Sequence, residues 1–233
     1  FLNLSAFAEM MLVHENACVA ISKEMPLDRA ALLGCAVITG AGAIFNDSRV
    51  RPGESVAVIG CGGIGLAAIN AAKIAGAGQI IAIDPVADKR ALAAKLGATH
   101  TLDSNDPDLA KKVAGMTGGG VDYAIEAVGR PNTAELAWTI LRRGGTATIL
   151  GMIAPGGEVK IAGPTFLTGK KLQGSLLGST RFPIDMPRLV QLYLDGKLDL
   201  DTMVAERIVL GDVNEALAKL RTGDTVRSVI EFA

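Results

Sequence analysis

Short apolar runs alternate with longer segments of helical periodicity from Glu54 onward. The runs are rich in Val, Ile and Leu on both faces, as expected of strands buried between two layers of helices. They are SVAVIG (55–60), QIIAID (79–84), THTLD (99–103), VDYAIEAVG (121–129) and TATILGM (146–152). Between them, apolar residues recur at helical spacing over 64–75, 88–96, 106–116 and 132–141. Strands that alternate with helices predict right-handed βαβ units and a doubly wound parallel sheet, an α/β fold.

Glycine and proline mark the ends of these elements. Gly97 is predicted to close the second helix, Pro107 to open the third, and Gly144 with Gly145 to turn the chain into the fifth strand. The regular alternation of strands and helices is therefore supported by independent turn signals.

The two flanks have a different pattern. Residues 1–27 contain strand-like pieces without the βαβ rhythm. After Gly151 come two glycine-bounded strand candidates, EVKIAG (158–163) and KLQGSLLGS (171–179). The tail predicts a helix, a strand, a helix and a strand, over 187–194, 207–210, 213–220 and 227–232. We therefore expect the α/β unit to lie between two pieces of another domain.

Composition narrows the classes of function. The chain has 233 residues, of which 23 are basic and 24 acidic, so its net charge is −1. Nucleic acid is not an expected partner, because phosphate binding needs a surplus of Lys and Arg. Two uncharged stretches are interrupted or too short for a membrane span, which needs about 20 apolar residues, so no membrane partner is expected either. Three cysteines without a CxxC pair favour a reducing compartment, the cytoplasm.

Glycine is in excess, with 28 residues or about 12% of the chain, against about 7% in an average protein. Four of these glycines form a GxGxxG motif, Gly60-Cys61-Gly62-Gly63-Ile64-Gly65, between a predicted strand and a predicted helix. The first Gly permits a tight turn, the second lets a pyrophosphate approach the backbone, and the third lets helix and strand pack closely. The motif therefore predicts a dinucleotide site at a helix N-terminus.

An acidic residue follows the motif at the expected distance. Asp84 ends the next strand, 19 residues after Gly65, where a carboxylate can accept hydrogen bonds from ribose hydroxyls and repel a 2′-phosphate. The next residue is Pro85 rather than Arg. We therefore expect NAD rather than NADP as the cofactor, although Lys89 and Arg90 lie nearby in sequence. Cys61 lies beside the loop at a helix N-terminus, where a lowered thiol pKa is expected.

Several further segments resemble the zinc-dependent, medium-chain alcohol dehydrogenases. They are ALLGCAVITGAGA (31–43), VRPGESVAVIGCGGIGLAAINAAKIAGA (50–77), IAIDPVADKRALAAKLGAT (81–99), GGVDYAIEAVG (119–129) and LRTGDTVRSVI (220–230). The resemblance implies a Rossmann-type NAD-binding domain over 37–177. It also implies that 1–36 and 178–233 are remnants of a GroES-like catalytic domain whose front part, with two further zinc ligands, lies upstream of this chain.

The resemblance also implies roles for single residues. Cys35 is similar to a catalytic zinc ligand, whereas its sequence context alone favours a small buried thiol, and Thr39 is similar to the residue that touches the nicotinamide. By the same resemblance, the pyrophosphate loop is Gly60, Gly62, Gly63, Ile64 and Gly65, the ribose contacts are Asp84 and Lys89, and Pro85 is a further cofactor-binding position. The turn beside the adenosine is Val128, Gly129 and Arg130, and the nicotinamide wall is Leu150, Gly151, Met152 and Leu177. Arg227 is similar to an arginine of the tail that reaches the pyrophosphate. Phe1, Leu2, Met152 and Leu176 fall where the family lines its substrate pocket.

The implied activity is reversible NAD-dependent oxidation of an alcohol to an aldehyde or ketone, with zinc as Lewis acid and hydride transfer to nicotinamide. One cysteine cannot make a zinc site, so we expect the isolated chain to bind NAD without turnover. Two alternatives stay open, a zinc-free quinone reductase of the same superfamily and a non-catalytic NAD-binding regulatory module. The two strand candidates after Gly151 resemble the family's subunit-joining edge, which predicts a homodimer or homotetramer.

Overall fold

The computed structural model describes residues 6–222 and 227–232. The chain divides into two compact units. Cys35–Thr180 forms one unit, and the described residues up to Gly34 and from Arg181 onward form the other. The assignment of the flanking segments to a catalytic domain stays a prediction.

The unit Cys35–Thr180 is built on a six-stranded parallel sheet. Its strands are β1 (Ser55–Ile59), β2 (Gln79–Ile83), β3 (His100–Leu102), β4 (Val121–Glu126), β5 (Leu141–Ile149) and β6 (Lys171–Gly174). They lie in the order β3-β2-β1-β4-β5-β6, which confirms the predicted doubly wound sheet of Rossmann type. The order reverses between β1 and β4, and open α/β sheets bind ligands beyond the carboxyl ends of the strands at such a point.

The helices follow the predicted alternation. They are α1 (Leu27–Leu32), α2 (Ile38–Gly42), α3 (Gly63–Ile74), α4 (Ala87–Leu96), α5 (Leu109–Thr117), α6 (Pro131–Thr139), α7 (Phe182–Leu194) and α8 (Val213–Thr222). The four helices predicted between the strands are α3 to α6. Gly97 ends α4 with φ +122°, as expected of a glycine that closes a helix. In contrast, α5 begins at Leu109, two residues after Pro107.

The continuous apolar runs are buried on both faces. All five residues of β1 are buried, as are nine of the twelve residues of α3. A parallel sheet between two helix layers requires this, because each strand face packs against helices. Burial of apolar surface stabilises a fold by about 25 cal/mol per Å². The buried residues of β1 and α3 therefore hold both ends of the segment that joins them.

Three predictions about irregular regions are wrong. EVKIAG forms no strand: the position beside β5 is taken by β6, with Thr146 opposite Lys171, and the Lys160 amide donates to the Glu135 carboxylate instead. The described residues 6–26 also form no strand. Gly144 and Gly145 lie within β5, at an irregularity where the register with β4 shifts.

In the other unit, β7 (Glu206–Ile208) and β8 (Ser228–Ile230) form a parallel pair. An ionic network supports this unit, since Asp28 accepts hydrogen bonds from both Arg29 and Arg207. Arg29 also donates to Asp201 at 2.6 Å. Although burial opposes the effect, these cations hold the pKa of Asp28 below its usual range.

One helical run, Leu27–Ser48, is long and apolar enough to cross a bilayer by length and composition. It contains α1, α2 and two π-helical segments, Leu33–Val37 and Ala43–Ser48. Within its most apolar 18-residue window, 61% of the residues are buried inside the protein, as in a core helix.

Candidate functional site

The glycine motif forms the turn between β1 and α3. Gly60 has φ +93°, a left-handed conformation that favours glycine, and its amide donates to the Ile83 carbonyl at 2.8 Å. A Cβ on Gly65 would lie 1.7 Å from the Gly60 carbonyl oxygen, so helix and strand touch backbone to backbone. By contrast, a Cβ on Gly62 would meet nothing within 4 Å.

Open space at Gly62 lies at the first turn of α3. Gly62 is the N-cap of this helix and no side chain caps it. The first amides of a helix lack intrahelical partners, and with the helix dipole they favour an anion. The geometry of each glycine therefore fits a loop that receives a pyrophosphate.

Asp84 lies just beyond the end of β2 and is 6% exposed. Its carboxylate accepts hydrogen bonds from the Cys61 amide at 2.8 Å and from the Val86 amide at 2.9 Å. Asp84 thus fixes the glycine loop as well as its own turn. A carboxylate has about four acceptor positions, which leaves two for ribose hydroxyls.

Arg90 holds the same turn from α4. Its guanidinium donates to the carbonyl oxygens of Asp84 and Pro85 at 2.7 and 2.9 Å. Arg90 is not among the residues predicted to bind the cofactor, whereas its neighbour Lys89 is. Lys89 is half-buried and Pro85 is exposed.

Glu126 ends β4, directly beside β1, with Ile59 as its register partner. It is fully buried. Its Oε1 accepts hydrogen bonds from the amides of Val128 and Gly129 at 2.9 and 2.8 Å, and from the Thr133 hydroxyl at 2.7 Å. Glu126 and Thr133 are not among the residues predicted from the sequence; the available signal was an acid inside an otherwise apolar strand run.

Two predicted turns meet at the end of β4 and β5. A Cβ on Gly129 would lie 2.7 Å from the Met152 carbonyl oxygen, and one on Gly151 would lie 2.0 Å from the Gly129 amide nitrogen. Val128 and Met152 present exposed side chains, 43% and 81% respectively. The turns predicted beside adenosine and nicotinamide are therefore brought together.

Thr39 lies in α2, which packs closely on the glycine loop. A Cβ on its neighbour Gly40 would lie 2.2 Å from the Ile64 carbonyl oxygen. Thr39 is 5% exposed, and its Oγ1 is buried without a hydrogen-bond partner. An unpaired buried hydroxyl is costly, and this one fits a position that a ligand completes.

The predicted nicotinamide wall continues at Leu177, which is half-buried. Leu177, Gly178 and Ser179 all have left-handed backbone, with φ of 51°, 67° and 48°. Such strain in a bulky residue is uncommon and concentrates at functional sites. Gly178 packs against α2, where its Cβ would lie 2.7 Å from the Thr39 carbonyl oxygen, so this turn lies next to Thr39.

Cys35 is exposed and lies in the π-helical segment Leu33–Val37. The buried thiol that its sequence context favoured is therefore wrong. Among the residues of the described part, no group of three His, Cys, Asp or Glu side chains could hold a metal ion. Catalytic zinc takes three protein ligands, so these residues do not by themselves fit a zinc ion.

The other two cysteines also differ from expectation. Cys18 lies in a stretch whose apolar pattern predicts a core residue, yet it is exposed. Cys61 is fully buried, and burial together with the neighbouring Asp84 carboxylate raises the pKa of its thiol to about 12. The expected lowering by the helix N-terminus is wrong, because loss of hydration outweighs the dipole.

Of the remaining predicted residues, Leu150 contacts the site, because its amide donates to the Glu126 carbonyl oxygen at 2.8 Å. Leu176 is 82% exposed, Leu150 is half-buried and Arg130 is exposed. Arg227 is half-buried in the other unit, where its carbonyl accepts from the Ala205 amide at 2.9 Å. Phe1 and Leu2 lie outside the described residues.

Known proteins share both sequence and fold with this chain. S-(hydroxymethyl)glutathione dehydrogenase of Synechocystis sp. is 35% identical over the whole chain and 64% of its own length. The structure of benzyl alcohol dehydrogenase from Acinetobacter calcoaceticus matches 96% of this chain and 62% of its own, with 34% identity and a TM-score of 0.92. A protein described as a zinc-binding dehydrogenase from Sinorhizobium meliloti, bound to NADP, matches 90% of this chain and 61% of its own, with 28% identity and a TM-score of 0.81.

The chain spans 61–64% of the length of these relatives. The family model for zinc-binding dehydrogenases matches residues 63–195, which run from the first turn of α3 through α7 and its C-terminal cap. The glycine loop, the carboxylates beside it and the reversed sheet order agree with that match, and the chain belongs to the zinc-binding dehydrogenase family.

Proposed function

We propose that this chain binds NAD(H) and forms the cofactor-binding part of an alcohol dehydrogenase. The observation that carries the proposal is the open space at Gly62 in front of α3, between two buried carboxylates at the ends of the strands that flank β1. The relatives include dehydrogenases named for a hydroxymethyl thiol adduct and for benzyl alcohol. Both names describe oxidation of a primary alcohol group, so we extend this reaction class to the whole protein.

The residues present fit a dinucleotide. The amides of Gly62, Gly63 and Ile64 would receive the pyrophosphate at the first turn of α3, and Asp84 would accept from the ribose hydroxyls. Thr39 offers its unpaired hydroxyl beside the left-handed Leu177 turn, where the nicotinamide would lie. When bound, the nicotinamide ring supplies a hydride acceptor. The role of the protein is to align that ring and exclude water.

Asp84 favours NAD over NADP in this proposal. A 2′-phosphate would lie against a buried carboxylate, and like charges at close range are unfavourable. Arg90 cannot offset this charge easily, because its guanidinium already donates to two backbone carbonyls.

Titration of the chain with NADH and NADPH tests the proposal. Binding can be followed by quenching of Trp138, the one tryptophan of the chain. Gly62→Ala should weaken NADH binding about tenfold or more, because the methyl group would occupy the space for the pyrophosphate. Gly115→Ala is the matched control, since a Cβ there also meets nothing within 4 Å but lies on α5. A wild-type chain that binds neither dinucleotide contradicts the proposal.

Zinc differs from the dinucleotide, because the described residues contain no group of three side chains that could hold a metal ion. We expect the isolated chain to hold no stoichiometric zinc and to have negligible alcohol dehydrogenase activity even when NAD binds. Metal analysis after dialysis, with alcohol oxidation followed by NADH formation, measures both. One tightly bound zinc per chain would contradict this expectation.

The substrate in this proposal is a small alcohol or aldehyde with an apolar body. Met152 and Leu176 are exposed apolar side chains at the predicted pocket positions. We also propose self-association through β6, which is an edge strand of the sheet. Light scattering tests the dimer or tetramer, and a monomer at all concentrations would contradict it.

A further inference from the structure

Glu126 has no role among the predicted contacts with the dinucleotide, yet it is a fully buried acid beside the proposed site. Burying a charged group is costly unless its hydrogen bonds compensate. One oxygen, Oε1, accepts three hydrogen bonds. The other, Oε2, is buried without a partner. Because burial of this acid with one unpaired oxygen destabilises the fold, we infer that Glu126 has a role beyond packing.

The backbone and the side chain of Glu126 hold two different turns. Its carbonyl oxygen accepts from the amides of Leu150 and Gly151 at 2.8 and 3.2 Å. Its carboxylate accepts from the amides of Val128 and Gly129. A single residue at the end of β4 therefore sets the position of both turns that follow β4 and β5.

The two turns pack backbone against backbone at their glycines. A Cβ on Gly151 would lie 2.0 Å from the Gly129 amide nitrogen and 2.6 Å from Glu126 Oε2. The unpaired oxygen thus occupies the space beside Gly151 that any other residue would need. The Val128 side chain then reaches the glycine loop, where a Cβ on Gly60 would lie 2.6 Å from Val128 Cγ2.

We propose that Glu126 is a positioning residue for dinucleotide binding, which fixes the Val128–Gly129 turn against the Gly151 turn and the glycine loop. This inference rests on the proposed function. The carboxylate has no direct contact with the ligand in this role. It acts through the turns, which place the walls for adenosine and nicotinamide at a fixed separation.

Glu126→Gln tests the proposal with little change in shape. The amide oxygen is a weaker acceptor than a carboxylate for three donors, and its NH₂ group would have no acceptor at the Oε2 position. We expect NADH to bind about tenfold more weakly, and ADP-ribose, which lacks the nicotinamide, to be affected less. Glu158→Gln, at an exposed acid, should change neither affinity by more than about twofold.

Affinities are compared at a temperature where circular dichroism shows each variant to be folded. A merely structural role would lower the unfolding temperature and leave the affinity of the folded chain unchanged. Folded Glu126→Gln that binds NADH within twofold of wild type would therefore overturn the inference. If the wild-type chain does not bind NADH, the proposed function itself is contradicted. Titration of the wild type therefore distinguishes failure of the proposed function from failure of the positioning role.

Thr133 provides a second route if Glu126→Gln does not fold. Thr133→Val removes one of the three donors and keeps both backbone hydrogen bonds, so NADH affinity should fall about threefold. Thr133→Ser restores the hydroxyl and should restore the affinity. Equal affinity in folded Thr133→Val and Thr133→Ser would count against the positioning role.

Discussion

Two buried carboxylates lie on either side of β1, and they perform related tasks with different exposure. Asp84, after β2, accepts from the Cys61 and Val86 amides and keeps 6% of its surface exposed. Glu126, at the end of β4, accepts from two amides and a hydroxyl and is fully buried. Both stabilise loops at the carboxyl edge of the sheet, where a parallel sheet of this topology binds its ligand.

The difference in exposure between Asp84 and Glu126 distinguishes an acid that can contact the ligand from one that only supports the loops around it. A carboxylate that holds a loop and still reaches the crevice can accept from a ligand, so Asp84 combines both tasks. A carboxylate closed inside its turn can influence the ligand through geometry alone, as Glu126 does in our proposal. Substitutions that change only the charge or only the space near one of these acids, and labelling of the buried thiol beside Asp84, should distinguish the two roles.

The largest expected effect concerns Cys61, whose amide is held by Asp84. Its buried thiol has a pKa of about 12, whereas an ordinary cysteine has a pKa of about 8.5. At neutral pH the thiolate fraction is then about three thousandfold smaller, and burial slows the reaction further. A disulfide reagent should label Cys18 and Cys35 quickly and Cys61 only after unfolding.

Peptide mass mapping after brief labelling measures this order. The denatured chain serves as control, because all three thiols should then react at similar rates. Rapid labelling of Cys61 in the folded chain would show that the Asp84 side of the loop opens readily.

The next effect concerns Gly65, which lies in the loop between the two carboxylates. Gly65→Ala would place a Cβ 1.7 Å from the Gly60 carbonyl oxygen, which forces β1 and α3 apart. We expect the free energy of unfolding to fall by about 3 kcal/mol, as measured by urea denaturation. Gly62→Ala should change it by less than about 0.5 kcal/mol, since space is open there. Equal losses in both variants would contradict the division between packing and ligand space.

Asp84→Asn compares the two carboxylates directly. An amide does not repel a 2′-phosphate, so the preference for NADH over NADPH should narrow about tenfold, whereas Glu126→Gln should weaken both dinucleotides to the same degree. The amides of Cys61 and Val86 would lose a charged acceptor, which should also lower the free energy of unfolding by about 1–2 kcal/mol.

Parallel titrations with the two dinucleotides give the preference. Asp88→Asn is the matched control, because Asp88 is an exposed acid in the first turn of α4. An unchanged preference in Asp84→Asn would remove Asp84 from cofactor selection and leave it with the support of the loop.

The sequence predicted the fold because its signals were local and repeated. Val- and Ile-rich runs such as SVAVI and QIIAI recur with helices between them, and a buried parallel sheet needs both. EVKIAG failed for a reason beyond local pattern. EVKIAG alternates polar and apolar residues as a strand does, but β6 occupies the position beside β5 in the described sheet. Which of the two segments forms a strand is decided by its pairing with β5, and the local pattern does not show that pairing.

The candidate site was predicted where a motif fixes both residue and spacing, as at Gly60 and Asp84. Glu126 was missed because one acid in VDYAIEAVG resembles a residue at a strand end. Two of its three donors follow in a turn whose shape depends on Gly129 and Gly151, and the third lies in α6. The burial of Cys61 was missed similarly. A helix N-terminus is visible in sequence, whereas the desolvation that raises its pKa is set by the surrounding packing.

The smallest effect concerns Asp122, near the opposite end of β4 from Glu126. Asp122 accepts from the Ser55 amide and hydroxyl at 2.8 and 2.7 Å, and from Arg142 at 2.5 Å. Although burial opposes the effect, these hydrogen bonds hold its pKa below the usual range. A lowered folded-state pKa stabilises the fold above the unfolded-state pKa of about 3.9, and the stabilisation is lost as pH falls through the folded-state value.

Asp122→Asn should therefore lower the free energy of unfolding by about 1 kcal/mol in urea denaturation at pH 7, with the difference from wild type vanishing in strong acid. NADH affinity should stay unchanged, because Asp122 lies away from the carboxyl edge. A loss of affinity equal to that of Glu126→Gln would mean that the acids of β4 affect binding through stability alone.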